Sequence, residues 1–326
     1  MKIVFFGTPI FAAQNLQYLI EKNYEISAVV TTQDQIKGRG KKLIASDVKK
    51  LALENNIPII EYNILLIDNI IKKLKKINAE LFVVVAFKKL PLNIWSIPKK
   101  GTINLHASLL PNYRGAAPIN RVLINGERET GLTTFFINSN IDSGDIIKNK
   151  KIFINEDLTA AQLHNLLIEE GNILLANTIK IINNGNYTRK EQLTNIQVKK
   201  APKLNKDILK INWNKSVKEI HNLVRGLSPY LNKNEVLKNI SILPSAWFII
   251  AYPDGNKKRI KIQLTSIEGK CSKPHLSILT DNKSFLHIAI HGQYISLLQL
   301  QPEGKNSMNI KQFLQGNMIN NDCLIL

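Results

Sequence analysis

The sequence predicts an α/β domain built on a mostly parallel sheet flanked by helices, followed by a second, small β-barrel domain. Three observations support this. Residues 81–86 (LFVVVA) are continuously apolar, as a parallel strand buried on both faces must be. Short strand-like runs alternate with helical stretches through the first half, the order that builds a parallel sheet. Beyond residue 244 the pattern changes to five short strands separated by turns such as Asp254-Gly255, which reads as a small barrel.

In chain order, residues 2–6 (KIVFF) suit a strand, and Gly7-Thr8-Pro9 turns it into a helix over 11–22. This strand, glycine turn and helix form the first unit of a nucleotide-binding, Rossmann-like layer. The turn holds a single glycine, so the dinucleotide fingerprint is missing and NAD is not implied. Residues 26–31 (ISAVVT) form the second strand, and the loop from Asp34 to Lys50 carries six cations against two acids. Glycines bracket Arg39, which lets backbone approach a phosphate closely. A helix over 46–55, a strand over 57–60 and an amphipathic helix over 66–77 lead to the apolar strand at 81–86. Ligands of such sheets bind beyond the carboxyl ends of the strands, where Phe87 to Leu90 follow.

Further strands are expected over 132–138 and 146–154, after a helix over 116–124. A long helix over 158–183 contains His164, which reads as structural. The polar segment 184–206 lacks periodicity and reads as a linker, dividing the chain into 1–183 and 207–326. A helix over 216–226 precedes strands at 245–252, 259–267, 276–280, 285–290 and 294–300. His287 and His291 lie four apart, but in an alternating strand pattern rather than on a zinc-binding helix, and no metal is expected.

The 326 residues suffice for two cores, and 44% hydrophobic with 21% charged residues is ordinary for a soluble globular protein. Two distant cysteines, Cys271 and Cys323, imply neither a disulfide framework nor a zinc set, which suits a reducing cytoplasm. No run has the length of a membrane span, and Met1-Lys2 precedes too short an apolar run for a signal segment. The net charge of +19 points to a polyanionic partner. Isoleucine, asparagine and lysine are abundant while arginine is scarce, a bias that inflates the total, so local clusters carry more weight.

The candidate site centres on Gly101 to Gly115, GTINLHASLLPNYRG. Thr102, Ile103 and Leu105 suit a short buried strand, interrupted by Asn104 and His106. Side chains two apart on a strand share a face, so an amide and an imidazole project side by side at the strand end. That pair can hold a developing oxyanion and move a proton, or can simply satisfy nearby loops. A second stretch, Gly131 to Gly144 (GLTTFFINSNIDSG), ends in Asp142, Ser143 and Gly144. Asp142 can cap a turn or orient the imidazole. Leu110-Pro111 is a candidate cis bond.

The motif HxSLLPxxxG (His106, Ser108 to Pro111, Gly115), preceded by Asn104 and followed by IDSGD (Ile141 to Asp145), resembles the folate-dependent formyltransferases. The opening FFGTPIFA, the basic loop GRGKKL and the late LQPEGKNSM are similar to the methionyl-tRNA branch of that family, over nearly the whole chain. The resemblance implies catalysis by Asn104, His106 and Asp142, and a formyl donor, 10-formyltetrahydrofolate, held by Ser108, Leu109, Leu110, Pro111, Phe87 and Leu90. It implies initiator methionyl-tRNA contacts at Arg39, Lys41 and Lys42, an OB-like second domain and a cytoplasmic monomer. Two departures stand out. Phe87-Lys88-Lys89-Leu90 lacks the glycine that relatives place after the aromatic residue, and LNKNEVLKNISIL (231–243) is inserted after Ser228-Pro229-Tyr230. Rival readings are a formyltransferase acting on a sugar-nucleotide amine and a non-catalytic RNA-binding relative.

Overall fold

Apolar runs too short for helices and free of polar interruptions form the centre of the first sheet in the computed structural model. The structure describes residues 1–37, 42–193, 197–232, 235–237, 242–320 and 322–326. Strand β1 (Ile3–Gly7) is buried throughout and leads through Thr8-Pro9 into α1 (Ile10–Glu21). Then come β2 (Ile26–Thr32), the short strands β3 (Gln35–Lys37) and β4 (Lys42–Ile44), and α2 (Asp47–Glu54). The Ser46 hydroxyl accepts from the backbone N–H of Lys49 and so starts α2. β5 (Ile59–Tyr62) and α3 (Ile67–Ile77) follow, and α3 ends at Asn78, whose left-handed backbone suits a helix terminus. β6 (Leu81–Val85) is fully buried, as its continuous apolar sequence requires. After α4 (Leu92–Trp95), β7 (Thr102–His106), α5 (Pro118–Ile124), β8 (Glu129–Phe136), β9 (Ile146–Phe153) and α6 (Ala160–Asn183) complete this half.

The sheet has the order β5-β2-β1-β6-β7-β8-β9. Pairs from β5 to β7 are parallel, and β7 with β8 is antiparallel. β7 therefore sits where the parallel sheet meets an antiparallel extension. One face carries an apolar cluster of Val4, Phe6, Val30, Phe82 and Val84 against Ile70, Leu74 and Ile94 of the helices. On the opposite face Gly171 of α6 admits Leu105, since an added Cβ would stand 3.2 Å from Leu105 Cδ2. Thr134 of β8 and Thr178 of α6 share a hydrogen bond of 2.9 Å on that same side.

The basic loop is a hairpin, with Gln35, Ile36 and Lys37 paired to Ile44, Leu43 and Lys42. Its paired strands were not expected, because three-residue runs are too short to show a period. At its base Lys49 Nζ lies 2.8 Å from Asp34 and 2.6 Å from Glu61, and Lys50 lies 3.8 Å from Asp47. The charge of these two lysines is spent locally.

The remaining elements are α7 (Val217–Leu227), β10 (Ala246–Ala251), β11 (Lys257–Lys270), β12 (Ile278–Thr280), β13 (Leu286–Ile290), β14 (Gln293–Pro302), β15 (Met308–Asn309), α8 (Ile310–Gln315) and β16 (Leu324–Ile325). They form an antiparallel sheet ordered β12-β13-β14-β11-β10-β16, with β15 on β14. Among the described residues the ladder ends at β12 and β16, which makes it a half-barrel. α7 starts at a capping box of Ser216 and Glu219 and packs Ile220, Val224 and Leu227 with Phe248, Ile262 and Leu297.

By contact, the chain groups into Met1–Gly115, Gly131–Ile152 and Leu166–Lys200 as one unit. The other comprises Ala116–Thr130, Phe153–Asn165 and Ala201–Leu326. Most of the polar stretch expected as a linker thus belongs with the first sheet. α5, by contrast, belongs with α7: Asn120 Nδ2 donates to the carbonyls of Gly226 and Ile242. The inserted stretch 231–243 lies partly outside the described residues; in its described part Leu231 N donates to Glu235 O.

His221, on α7, is buried, with Nε2 facing the Glu156 carbonyl at 3.2 Å and Nδ1 facing the Thr265 hydroxyl at 3.0 Å. Burial holds its imidazole below the ordinary value, with Arg225 adding to the effect against the opposing pull of the Glu156 carbonyl and Asp157. The unfolded chain then binds a proton more readily than the folded one. Stability from this group is complete above the unfolded value, about 6.5, and is lost as pH falls towards the folded value. The denaturant midpoint of the full chain is expected to drop from about pH 7.5 to 5, and His221→Gln to flatten that slope. An unchanged slope in the variant would show that His221 is not a source of it.

Candidate active site

β7 fixes two of the expected residues. Asn104 pairs with Val84 and Phe135, and His106 with Thr133, so both emerge on one face while Leu105 points the other way. His106 is buried. Its Nε2 lies 2.9 Å from the carbonyl oxygen of Tyr113, which can only accept, so Nε2 carries a proton and Nδ1 is the ring's other nitrogen. Nδ1 is 3.8 Å from Asp142 Oδ2, close enough for charge pairing and too long for a direct hydrogen bond. The structure brings Asp142 to His106. Asn104 Oδ1 is buried without a hydrogen-bond partner among the described residues, leaving an acceptor open at the strand end.

The turn carrying Asp142 is rigidly held. Asp142 has φ +50°, and its Oδ2 accepts from the backbone N–H of Gly115 at 2.9 Å. The Ser143 hydroxyl donates to Asn138 Oδ1 at 2.9 Å. Gly144 is required by close approach, since an added Cβ would lie 1.7 Å from the Phe136 carbonyl oxygen.

The loop after β7 is organised by Thr133. Its hydroxyl donates to the Ser108 carbonyl at 2.7 Å and accepts from Leu110 N at 3.1 Å. The Ser108 hydroxyl donates to the Asn112 carbonyl at 2.7 Å. Leu110 is buried with Phe135 and Ile146, and Leu110-Pro111 is a cis peptide. Of the residues expected to hold the folate, Ser108, Leu110 and Leu90 are thus buried in the framework, while Leu109, Pro111 and Phe87 are partly exposed. Phe87 stands edge-on to Phe6 and Tyr62, at 5.8 and 5.3 Å between ring centroids. The residue with positive φ in this loop is Ala86, at +47°, and not Lys88, so the absent glycine imposes no left-handed strain on the lysine. Lys88 instead reaches towards the Tyr62 ring, 6.0 Å from its centroid.

Arg39 and Lys41 lie outside the described residues, and Lys42 stands on β4 opposite Lys37. Residues the sequence did not mark include Thr133, Tyr113, Arg114 and Gln192. Gln192 is buried at 3% exposure in the stretch expected to be a linker. A buried glutamine in a polar run has no sequence signature, so only its contacts reveal it. Among the described residues no group of three or more His, Cys, Asp or Glu is placed to hold a metal ion, and no helix is long and apolar enough to cross a membrane.

Family models for formyl transferase match residues 1–179, and for the formyl transferase C-terminal domain residues 203–318. A methionyl-tRNA formyltransferase of Flavobacterium johnsoniae is 42% identical, covering 97% of this chain and 96% of its own. One from Clostridioides difficile is 40% identical, covering 98% of both. Among solved structures, an N-formyltransferase of Helicobacter canadensis in complex with folinic acid and dTDP-3-aminofucose superposes with a TM-score of 0.63 at 23% identity, over 91% of this chain and 98% of that one. HypX of Aquifex aeolicus in complex with tetrahydrofolic acid gives a TM-score of 0.61 at 14% identity, over 96% of this chain and 47% of its own. These structural likenesses establish the shared fold; the full-length identities are far higher on the tRNA side. The chain belongs to the formyl transferase family, in its methionyl-tRNA formyltransferase branch.

Proposed function

We infer that the chain transfers the formyl group of 10-formyltetrahydrofolate to the α-amino group of initiator methionyl-tRNA, as a cytoplasmic monomer, with Asn104, His106 and Asp142 carrying the step. The observation behind this reading is the meeting of His106 and Asp142 beside the open acceptor of Asn104. An unpartnered buried acceptor costs about 1–3 kcal/mol, which a bound N–H donor such as the incoming amine removes. When bound, 10-formyltetrahydrofolate supplies the formyl group in a form ready for transfer.

The chain's own groups divide the work. Asn104 Oδ1 accepts from the amine and its Nδ2 donates to the formyl oxygen as charge gathers there. One such donor is worth roughly 3–4 kcal/mol in a preorganised site. With Nε2 committed to Tyr113, His106 takes the attacking amine's proton on Nδ1 and hands it to the folate nitrogen as that nitrogen's bond to the formyl carbon breaks, which returns the imidazole to its neutral form. The Asp142 carboxylate, 3.8 Å away, stabilises the imidazolium so formed. No covalent bond to the protein is needed. Arg39, Lys41 and Lys42 of the basic stretch supply the phosphate contacts.

Asn104→Ala, His106→Ala and Asp142→Ala are each expected to lower turnover by about 10²–10³-fold with tRNA affinity nearly unchanged. Lost affinity with normal turnover at saturation would refute the assignment. An assay offering charged initiator tRNA, charged elongator methionine tRNA and a sugar-nucleotide amine should favour the first; preference for the sugar nucleotide overturns the reading. Arg39→Ala and Lys42→Ala should each weaken tRNA binding and reduce the slope of log affinity against log salt by about 0.7–0.9.

A further inference from the structure

Gln192 uses every hydrogen-bonding position it has. Its Nε2 donates to the carbonyls of Asp142, at 3.1 Å, and Gly144, at 2.8 Å. Its Oε1 accepts from Arg114 Nε at 3.1 Å and Nη2 at 2.6 Å. A glutamine amide offers two donors and two lone pairs, so all four are satisfied. The partners also fix its orientation, because carbonyls face the nitrogen and a guanidinium faces the oxygen; a flipped amide would set like against like.

The two arms joined at Gln192 are the ones that hold the site. Arg114 lies between Tyr113, whose carbonyl takes the His106 Nε2 proton, and Gly115, whose N–H binds the Asp142 carboxylate. On the other side, Gln192 grips the main chain of Asp142 itself, at a residue whose φ of +50° needs support. Described residues on either side of it are pinned to the same unit. Lys190 and Ile146 exchange two backbone hydrogen bonds of 2.8 and 2.9 Å, and Tyr113 N donates to Lys199 O at 2.6 Å.

We propose that Gln192 is a positioning residue for formyl transfer, acting through Asp142: it sets the distance and aim of the carboxylate towards His106 Nδ1. This rests on the assignment of Asp142 above. Displacing a reacting group by about 1 Å costs on the order of 10²-fold in rate. Gln192→Ala should therefore lower kcat by about 10–100-fold, with the KM values for the folate and the tRNA changed less than threefold. Gln192→Glu keeps the size and removes both N–H donors, and should show the same split.

The deciding measurement is a double-mutant cycle. In an Asp142→Ala background, Gln192→Ala should cost little further kcat, because its route of action is already gone. Full additivity overturns the proposal, as does wild-type kcat in both Gln192 variants. Thermal melts accompany the assays. If both Gln192 variants are unfolded at the assay temperature, the residue's role is structural and the proposal fails. Normal turnover in Asp142→Ala would instead sink the catalytic assignment, an outcome distinct from additivity with an impaired Asp142→Ala.

Discussion

The hydrogen bond from His106 Nε2 to the carbonyl of Tyr113 governs how the site can act. A carbonyl only accepts, so the bond fixes the tautomer and leaves Nδ1 as the nitrogen able to take or give a proton. Nδ1 then faces the Asp142 carboxylate at 3.8 Å. The bond exists because β7 ends at His106 and the chain turns back through a loop whose backbone is left-handed at Tyr113, with φ +60°. Loop shape, tautomer and the ring nitrogen turned towards Asp142 are thus one constraint seen at three levels.

Left-handed backbone at non-glycine residues recurs around the strand ends, at Ala86, Tyr113 and Asp142. Such conformations carry a cost of order 1–3 kcal/mol each and persist only where surrounding bonds hold them. Here Tyr113 is held through its own N–H to Lys199, and Asp142 through its main-chain carbonyl to Gln192 and its carboxylate to Gly115. Thr133 supplies the same service to the Ser108–Leu110 turn with a single hydroxyl that both donates and accepts. The framework is rigid where chemistry needs short distances. The buried Asn104 Oδ1, unpaired among the described residues, is where we propose that a substrate meets that framework.

The second unit uses different means. α7 starts at a reciprocal cap, where bonds from the Ser216 side chain and backbone hold the Glu219 carboxyl down to about 2. The helix then covers an open antiparallel sheet, burying Val224 and Leu227 among strand residues of alternating pattern. The alternation was visible beforehand; that the described ladder runs from β12 to β16 was not, because strand order depends on which strands meet.

Local periodicity is written in the backbone itself. A strand repeats every two residues and a helix every 3.6, so LFVVV, the helix over Ile67–Ile77 and the shared face of Asn104 and His106 were legible from residue order. The turn chemistry of Asp142 and Gly144 was legible as well, though the role of the aspartate remained open between cap and catalyst. Its meeting with His106 required the antiparallel pairing of β7 with β8, a contact between distant segments that no local pattern encodes. Gln192 was hidden for the same reason. Its stretch is polar and aperiodic, and it is buried because carbonyls and a guanidinium from two remote turns converge on it. Residue order settled the elements and the chemical groups available, whereas convergence of those groups came from packing across the whole chain, since hydrogen-bond partners far apart in sequence are chosen by the assembled fold.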